Sequence, residues 1–274
     1  MIYKTLHNGN QIPQLGYGVW KVPNDEVTIA VETALETGYR LIDTATVYRN
    51  EEGVGKALAK TNVPREDLFI TTKVWNKDQG YKQTIAACDN SLVKLGLSYV
   101  DLYLIHWPTP KYDMYVDTYK ALEQLHRDGK VKAIGVCNFN IEHLERIMKE
   151  CTITPTVNQV ECHPYLQQKE LKAFCHQHNI QLEAYSPLMN GQTVLTDEKI
   201  MALAEKHNKT SAQIILRWHI QSDHITIPKT VTPSRMEENL HIFDFELTKD
   251  DMEIINSLDR HERINSDPNE MHTI

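Results

Sequence analysis

The chain has 274 residues, 41% of them apolar and 24% charged, with a formal net charge of −8 at pH 7. That length suits one barrel of about 250 residues or two smaller domains, and the acidic balance argues against nucleic acid or an anionic membrane as the main partner, since either would favour a basic stripe. No apolar run is long enough to span a bilayer, the opening MIYKTLHNGNQIPQLGYG lacks the apolar core of a signal peptide, and five scattered cysteines without a CxxC pair read as reduced thiols of a cytoplasmic protein.

In chain order, Tyr3–Leu6 and Gln11–Leu15 flank His7-Asn8-Gly9-Asn10, and Asn-Gly between alternating residues predicts a hairpin. Strands follow over Leu15–Trp20, Arg40–Ala45, Leu68–Val74, Val100–Trp107, Lys132–Val136, Thr156–Glu161, Gln181–Ser186 and Ile225–Lys229. Amphipathic helices lie between them over Asn24–Thr37, Glu51–Ala59, Tyr81–Leu95, Met114–Arg127, Ile141–Lys149, Gln168–His178 and Glu198–Ile220. The last is broken at Asn208-Lys209-Thr210, where Thr210 and Gln213 have capping-box spacing. Strand and helix alternating eight times without a linker predict a closed (β/α)8 TIM barrel, a single domain over residues 1–274. The hairpin is placed to plug its bottom. Two extra helices are expected near Pro233–Asn239 and Lys249–Leu258, before an irregular tail from Asp259 to Ile274.

Three successive strands each end on a titratable group: Asp43, with Tyr48 five residues on, then Lys73, then His106. Side chains alternate along a strand, so Leu41 shares a face with Asp43, Thr71 with Lys73, and Leu104 with His106. If these faces point inward, Asp43 and Lys73 are buried and each is the other's natural partner. An ammonium near Tyr48 favours phenolate and is expected to lower a pKa that is ordinarily about 10. Taken singly, an Asp–Lys core pair is more often structural and a strand-end His more often a hydrogen-bonded core residue. Their meeting at the C-terminal strand ends, the face that carries active sites in this fold, raises the catalytic reading.

The segments GYRLIDTATVYRNEEGVGKAL (38–58), LGLSYVDLYLIHWP (95–108), GVCNF (135–139), NQVECHPY (158–165), AYSPL (184–188) and IPKTVTPSRMEENL (227–240) resemble the signature segments of the aldo-keto reductases, notably the small bacterial members of glyoxal and diketogluconate reductase type. The resemblance spans nine-tenths of the chain. It implies that Asp43, Tyr48, Lys73 and His106 form a catalytic tetrad with Tyr48 as the acid for carbonyl reduction.

No Rossmann fingerprint is present, because both GxG pairs lack the third glycine. A dinucleotide must therefore bind otherwise, and Thr232-Pro233 reads as the start of a helix beside Lys229 and Arg235, an anion site or simply a helix with surface charges. The resemblance assigns Lys229, Thr230 and Arg235 to a 2′-phosphate, Glu238 and Asn239 to adenine, Asn138 and Gln159 to the nicotinamide carboxamide, Tyr185 to stacking on nicotinamide, and Ser186 and Leu188 to the pyrophosphate loop. An Arg fork to phosphate favours NADPH over NADH. Cys137 stands where the family usually has Ser, which implies a slightly looser nicotinamide clamp.

Trp20, Trp75 and Trp107 at strand ends are candidates for the walls of a substrate pocket, or for packing. Glu161-Cys162-His163 alternates across the sheet and fits no zinc spacing, so no metal is expected. The sequence thus predicts a cytoplasmic, monomeric, NADPH-dependent reductase of small aldehydes and ketones, with 2-oxoaldehydes such as methylglyoxal or ketosugars as candidate substrates. The alternatives are a cofactor-binding regulatory subunit and an aldolase-type enzyme using a Lys73 Schiff base.

Overall fold

The computed structural model describes residues 2–274. An antiparallel hairpin comes first, β1 (Tyr3–Thr5) against β2 (Gln11–Pro13). Its loop places Gly9 at φ +87°, where a side chain would be strained. Eight parallel strands follow: β3 (Tyr17–Gly18), β4 (Leu41–Asp43), β5 (Phe69–Val74), β6 (Val100–Ile105), β7 (Val131–Cys137), β8 (Val157–Glu161), β9 (Gln181–Tyr185) and β10 (Ile225–Thr226), each paired with the next in sequence. The sheet closes on itself. Gly16 N donates to Thr226 O at 2.8 Å, Thr226 N to Gln14 O at 2.9 Å, and Gly18 N to Pro228 O at 3.1 Å. The first and eighth strands are shorter than the sequence suggests. In the eighth, Pro228 has no N–H to continue a ladder.

The helices are α1 (Asn24–Thr37), α2 (Glu51–Lys60), α3 (Tyr81–Leu95), α4 (Tyr115–Arg127), α5 (Ile141–Glu150), α6 (Lys169–Gln177), α7 (Glu198–His207), α8 (Ser211–Gln221), α9 (Pro233–Leu240) and α10 (Lys249–Asn256). Asn208 in the left-handed region ends α7, and the reciprocal Thr210–Gln213 capping box starts α8, so the expected break is real. The two extra helices, α9 and α10, fall where they were expected.

Alternation along each strand divides the core in two. Outward residues such as Ile42, Ile70, Tyr103, Ile134 and Leu182 join the helix faces in one large cluster. Inward residues Leu41, Phe69, Leu102, Leu104, Val157 and Ile225 fill the barrel, and Leu6 and Ile12 of the hairpin pack beneath them. The hairpin is therefore the floor of the barrel, and Asn8 and Asn10 fasten it by donating to Lys132 O at 3.2 and 2.9 Å. Each buried Leu or Ile is worth about 1.5–3 kcal/mol of transfer free energy. The interior is tight enough that a Cβ on Gly135 would stand 2.5 Å from Val157 O. Above this apolar layer the inward positions turn polar, and the site begins there.

Candidate active site

Asp43 ends β4 and Lys73 lies near the end of β5, both inside the barrel and both shielded from water. Lys73 Nζ donates to Asp43 Oδ1 at 2.5 Å and to Thr44 O at 3.0 Å. Burial opposes the charge on Lys73, but the adjoining Asp43 carboxylate outweighs it and the net shift is upward. Lys73 is thus held as ammonium with no lone pair for carbonyl attack, which argues against the Schiff-base alternative.

Tyr48 ends a short 3-10 turn, Thr46–Tyr48, just past β4. Two residues that sequence reasoning missed stake this turn in place. Thr46 Oγ1 donates to Lys73 O at 2.9 Å. Asn50 Nδ2 donates to Val19 O and Val22 O, both at 3.0 Å, while its Oδ1 accepts from Thr44 Oγ1 at 2.7 Å. Lys73 Nζ lies 5.2 Å from the centroid of the Tyr48 ring. The expected lowering of the Tyr48 pKa needs correction, because the net shift is upward: burial raises it, and the charge and hydrogen bond of Lys73 lower it by less. The phenol is therefore firmly protonated, and Lys73 moderates that rather than reversing it.

His106 follows β6 and meets Tyr48 and Trp75 edge-on, with ring centroids 5.7 and 5.2 Å away. Burial first, then Lys73, hold it well below the usual histidine range, so it is neutral. Its Nδ1 is buried without a partner among the described residues.

Asn138, left-handed at φ +63°, donates from Nδ2 to His106 O at 3.0 Å and to Cys137 Sγ at 3.2 Å, while its Oδ1 accepts from Tyr185 Oη at 2.7 Å. Gln159 Nε2 donates to Asp43 Oδ2 at 2.8 Å. The Cys137 thiol donates to Gln159 Oε1 at 3.7 Å, and burial pushes its pKa up, which keeps it protonated.

Asp43, Tyr48, His106, Cys137, Asn138, Gln159 and Tyr185 border one cleft of about 1130 Å³ at the C-terminal rim. Trp20, Trp75 and Trp107 line it near Tyr48 and His106; Trp20 is the exposed one, at the lip. The cleft continues past Tyr185, Ser186 and Leu188 to Lys229, Thr230, Arg235, Glu238 and Asn239. At that far end no side chain caps the first turn of α9, and Lys229 and Arg235 are exposed with no carboxylate partner among the described residues. Uncapped helix N–H groups beside two free cations suit phosphate. The elongated shape, with an amide clamp and a tyrosine ring at one end, fits a dinucleotide.

Three features lay outside the sequence reading. Asn265 and Met271 of the tail line the cleft. Glu183, fully buried on β9, sits beside Gln159. Cys162 does not join Glu161 and His163, whose side chains turn the other way and hydrogen-bond at 3.0 Å. It lies instead with His219 and His224, buried ligand types within 4.8 Å of one another. The two imidazoles contact each other through Nδ1 at 3.1 Å, and the group contains no carboxylate to balance a divalent charge.

Fold and rim together define a carbonyl-reducing barrel, and sequence comparison agrees: the chain belongs to the Aldo/keto reductase family, whose profile matches residues 12–260. Among similar curated proteins are glyoxal reductase of Bacillus subtilis, 54% identical over 97% of this chain and 96% of that protein, and methylglyoxal reductase DkgA of Escherichia coli K12, 50% identical with the same coverage. Among solved structures, a variant of Gox0644 in complex with NADPH superposes with a TM-score of 0.95 at 47% identity, over 98% of both chains.

Proposed function

We propose that this protein reduces small aldehydes and ketones with NADPH, 2-oxoaldehydes such as methylglyoxal and glyoxal foremost. The carrying observation is the buried Lys73–Asp43 pair under a protonated Tyr48 beside a neutral His106, at the wall of a cleft long enough for a dinucleotide. Names of the relatives and the NADPH complex of a neighbouring structure support both substrate class and cofactor.

NADPH supplies the hydride when bound. Tyr48 donates its proton to the carbonyl oxygen as negative charge develops there. Lys73 stabilises the phenolate left behind, and Asp43 holds Lys73 in place. With Nδ1 of His106 sealed among side chains, the imidazole proton belongs on Nε2, from which His106 orients the carbonyl oxygen. Asn138 and Gln159 hold the carboxamide and Tyr185 supports the nicotinamide ring. Ser186 and Leu188 border the pyrophosphate; Lys229, Thr230 and Arg235 take the 2′-phosphate; Glu238 and Asn239 meet adenine. The pocket walls are Trp20, Trp75 and Trp107. We assign these roles within one catalytic domain, acting as a cytoplasmic monomer on small carbonyls, without nucleic acid or membrane.

The test is NADPH consumption with methylglyoxal, glyoxal and a ketosugar, repeated with NADH. Turnover with a 2-oxoaldehyde and preference for NADPH are expected. No consumption with any carbonyl, despite NADPH binding, would reduce the protein to a cofactor-binding subunit.

A further inference from the structure

Glu183 is a buried acid of the barrel interior that the mechanism leaves unused. It stands in register with Gln159 on the adjoining strand and has no exposure to water. Gln159 Nε2 donates both to Asp43 Oδ2, at 2.8 Å, and to Glu183 Oε2, at 3.1 Å. An amide nitrogen has two N–H groups. Both are taken by the two acids, so Gln159 faces the cleft only with Oε1, which accepts from the Cys137 thiol at 3.7 Å and keeps a second lone pair as the acceptor a carboxamide NH₂ requires.

Charge counting bears on the state of Glu183. The groups facing it are Asp43 from β4, Lys73 from β5, the neutral Cys137 from β7 and Gln159 from β8; across the β10 pairing is apolar Ile225. The single cation is already 2.5 Å from Asp43. A second carboxylate there would be a buried anion without a counter-charge, and its Oε1 has no hydrogen-bond partner among the described residues.

We propose that Glu183 is a positioning residue, a carboxylic acid kept neutral that orients Gln159 for the nicotinamide and leaves Lys73 to Asp43 alone. This rests on the NADPH-reductase reading above. Burial first, then Asp43, push the Glu183 pKa up to about 8, against the opposing hydrogen bond from Gln159 and the charge of Lys73. Above that pH the ionised Glu183 competes with Asp43 for Lys73 and disfavours negative charge on the reacting oxygen.

Three measurements test it. In the protein without cofactor, infrared titration of the wild type is expected to show a buried-carboxylic-acid band that disappears between pH 7 and pH 9 and is absent from Glu183→Gln, around the value of about 8. The Kd for NADPH, read by fluorescence, is expected to weaken over that range in wild type but not in Glu183→Gln. Glu183→Leu, which removes the acceptor, is expected to weaken NADPH roughly fivefold at neutral pH, the worth of one hydrogen bond. No such band in wild type, or a pH-dependence retained in Glu183→Gln, overturns the proposal even if the variants fold poorly, because the wild-type titration stands alone. Tyr48→Phe separates the two readings: full turnover in that variant overturns the catalytic assignment, whereas loss of turnover there with no Glu183 titration overturns only this proposal.

Discussion

Lys73 Nζ stands 2.5 Å from Asp43 Oδ1, and both side chains are buried. The pair exists because consecutive parallel strands put two inward polar positions one inward step apart, Asp43 in register with Thr71 and Lys73 the next inward residue beyond it, in an interior otherwise filled by Leu41, Phe69, Leu102 and Leu104. Deleting one partner leaves the other ion buried alone. Asp43→Ala is expected to lose about 3–5 kcal/mol of unfolding free energy. Lys73→Met with Asp43→Leu should recover much of that stability without recovering turnover. Denaturant unfolding and NADPH oxidation, measured on the same preparations, check both. Equal stability of Asp43→Ala and wild type would show that the pair is not the buried ion pair described.

Tyr48→Phe keeps the ring, its edge contact with His106 and its position on the Thr46–Tyr48 turn, and removes only the hydroxyl that carries the proton. Turnover is expected to fall by about 10²–10⁴, the range for a general acid, while NADPH binding stays unchanged. Stopped-flow turnover and fluorescence titration separate the two effects. Asn50→Ala should give a milder loss of turnover, because it frees the turn that carries the phenol without removing it.

At the opposite end of the cleft, Arg235 is exposed and borders the start of α9. A charge-assisted hydrogen bond is worth about 1.5–3 kcal/mol. Arg235→Ala is therefore expected to weaken NADPH by one to two orders of magnitude and to leave NADH nearly unaffected. Equal weakening of both cofactors would remove the 2′-phosphate contact from Arg235.

A buried carboxylate is among the groups that tie the tail to the barrel. Glu161 accepts from Ile264 N at 2.7 Å, from Asn265 N at 3.0 Å and Nδ2 at 2.9 Å, and from His163 Nε2 at 3.0 Å. Burial opposes the charge, but these hydrogen bonds outweigh it, so the Glu161 pKa is lowered. A lowered carboxyl pKa contributes stability above its unfolded value, near 4.3, that is lost as pH falls through the folded value. The strap should therefore hold at neutral pH and release in acid. Glu161→Gln, at neutral pH, is expected to speed limited proteolysis after residue 258 and to raise KM for methylglyoxal, since Asn265 and Met271 line the cleft. An unchanged proteolysis pattern would show that Glu161 does not hold the tail.

The strand–helix rhythm, the closing barrel and the meeting of Asp43, Tyr48, Lys73 and His106 at one rim could be read from the chain. Period-2 alternation and strand-end position are local, and local patterns dictate which side chains share a face. The Thr210–Gln213 cap and the hairpin floor were legible for the same reason. What the fold alone decided depends on contacts between residues far apart in sequence. Gln159 reaches Asp43 across 116 positions, and Asn265 reaches Glu161 across 104, and no periodicity marks either. The direction of the Tyr48 shift also required tertiary structure. Proximity to Lys73 is a pairwise matter, whereas desolvation sums over everything that surrounds the phenol, and here the sum is larger.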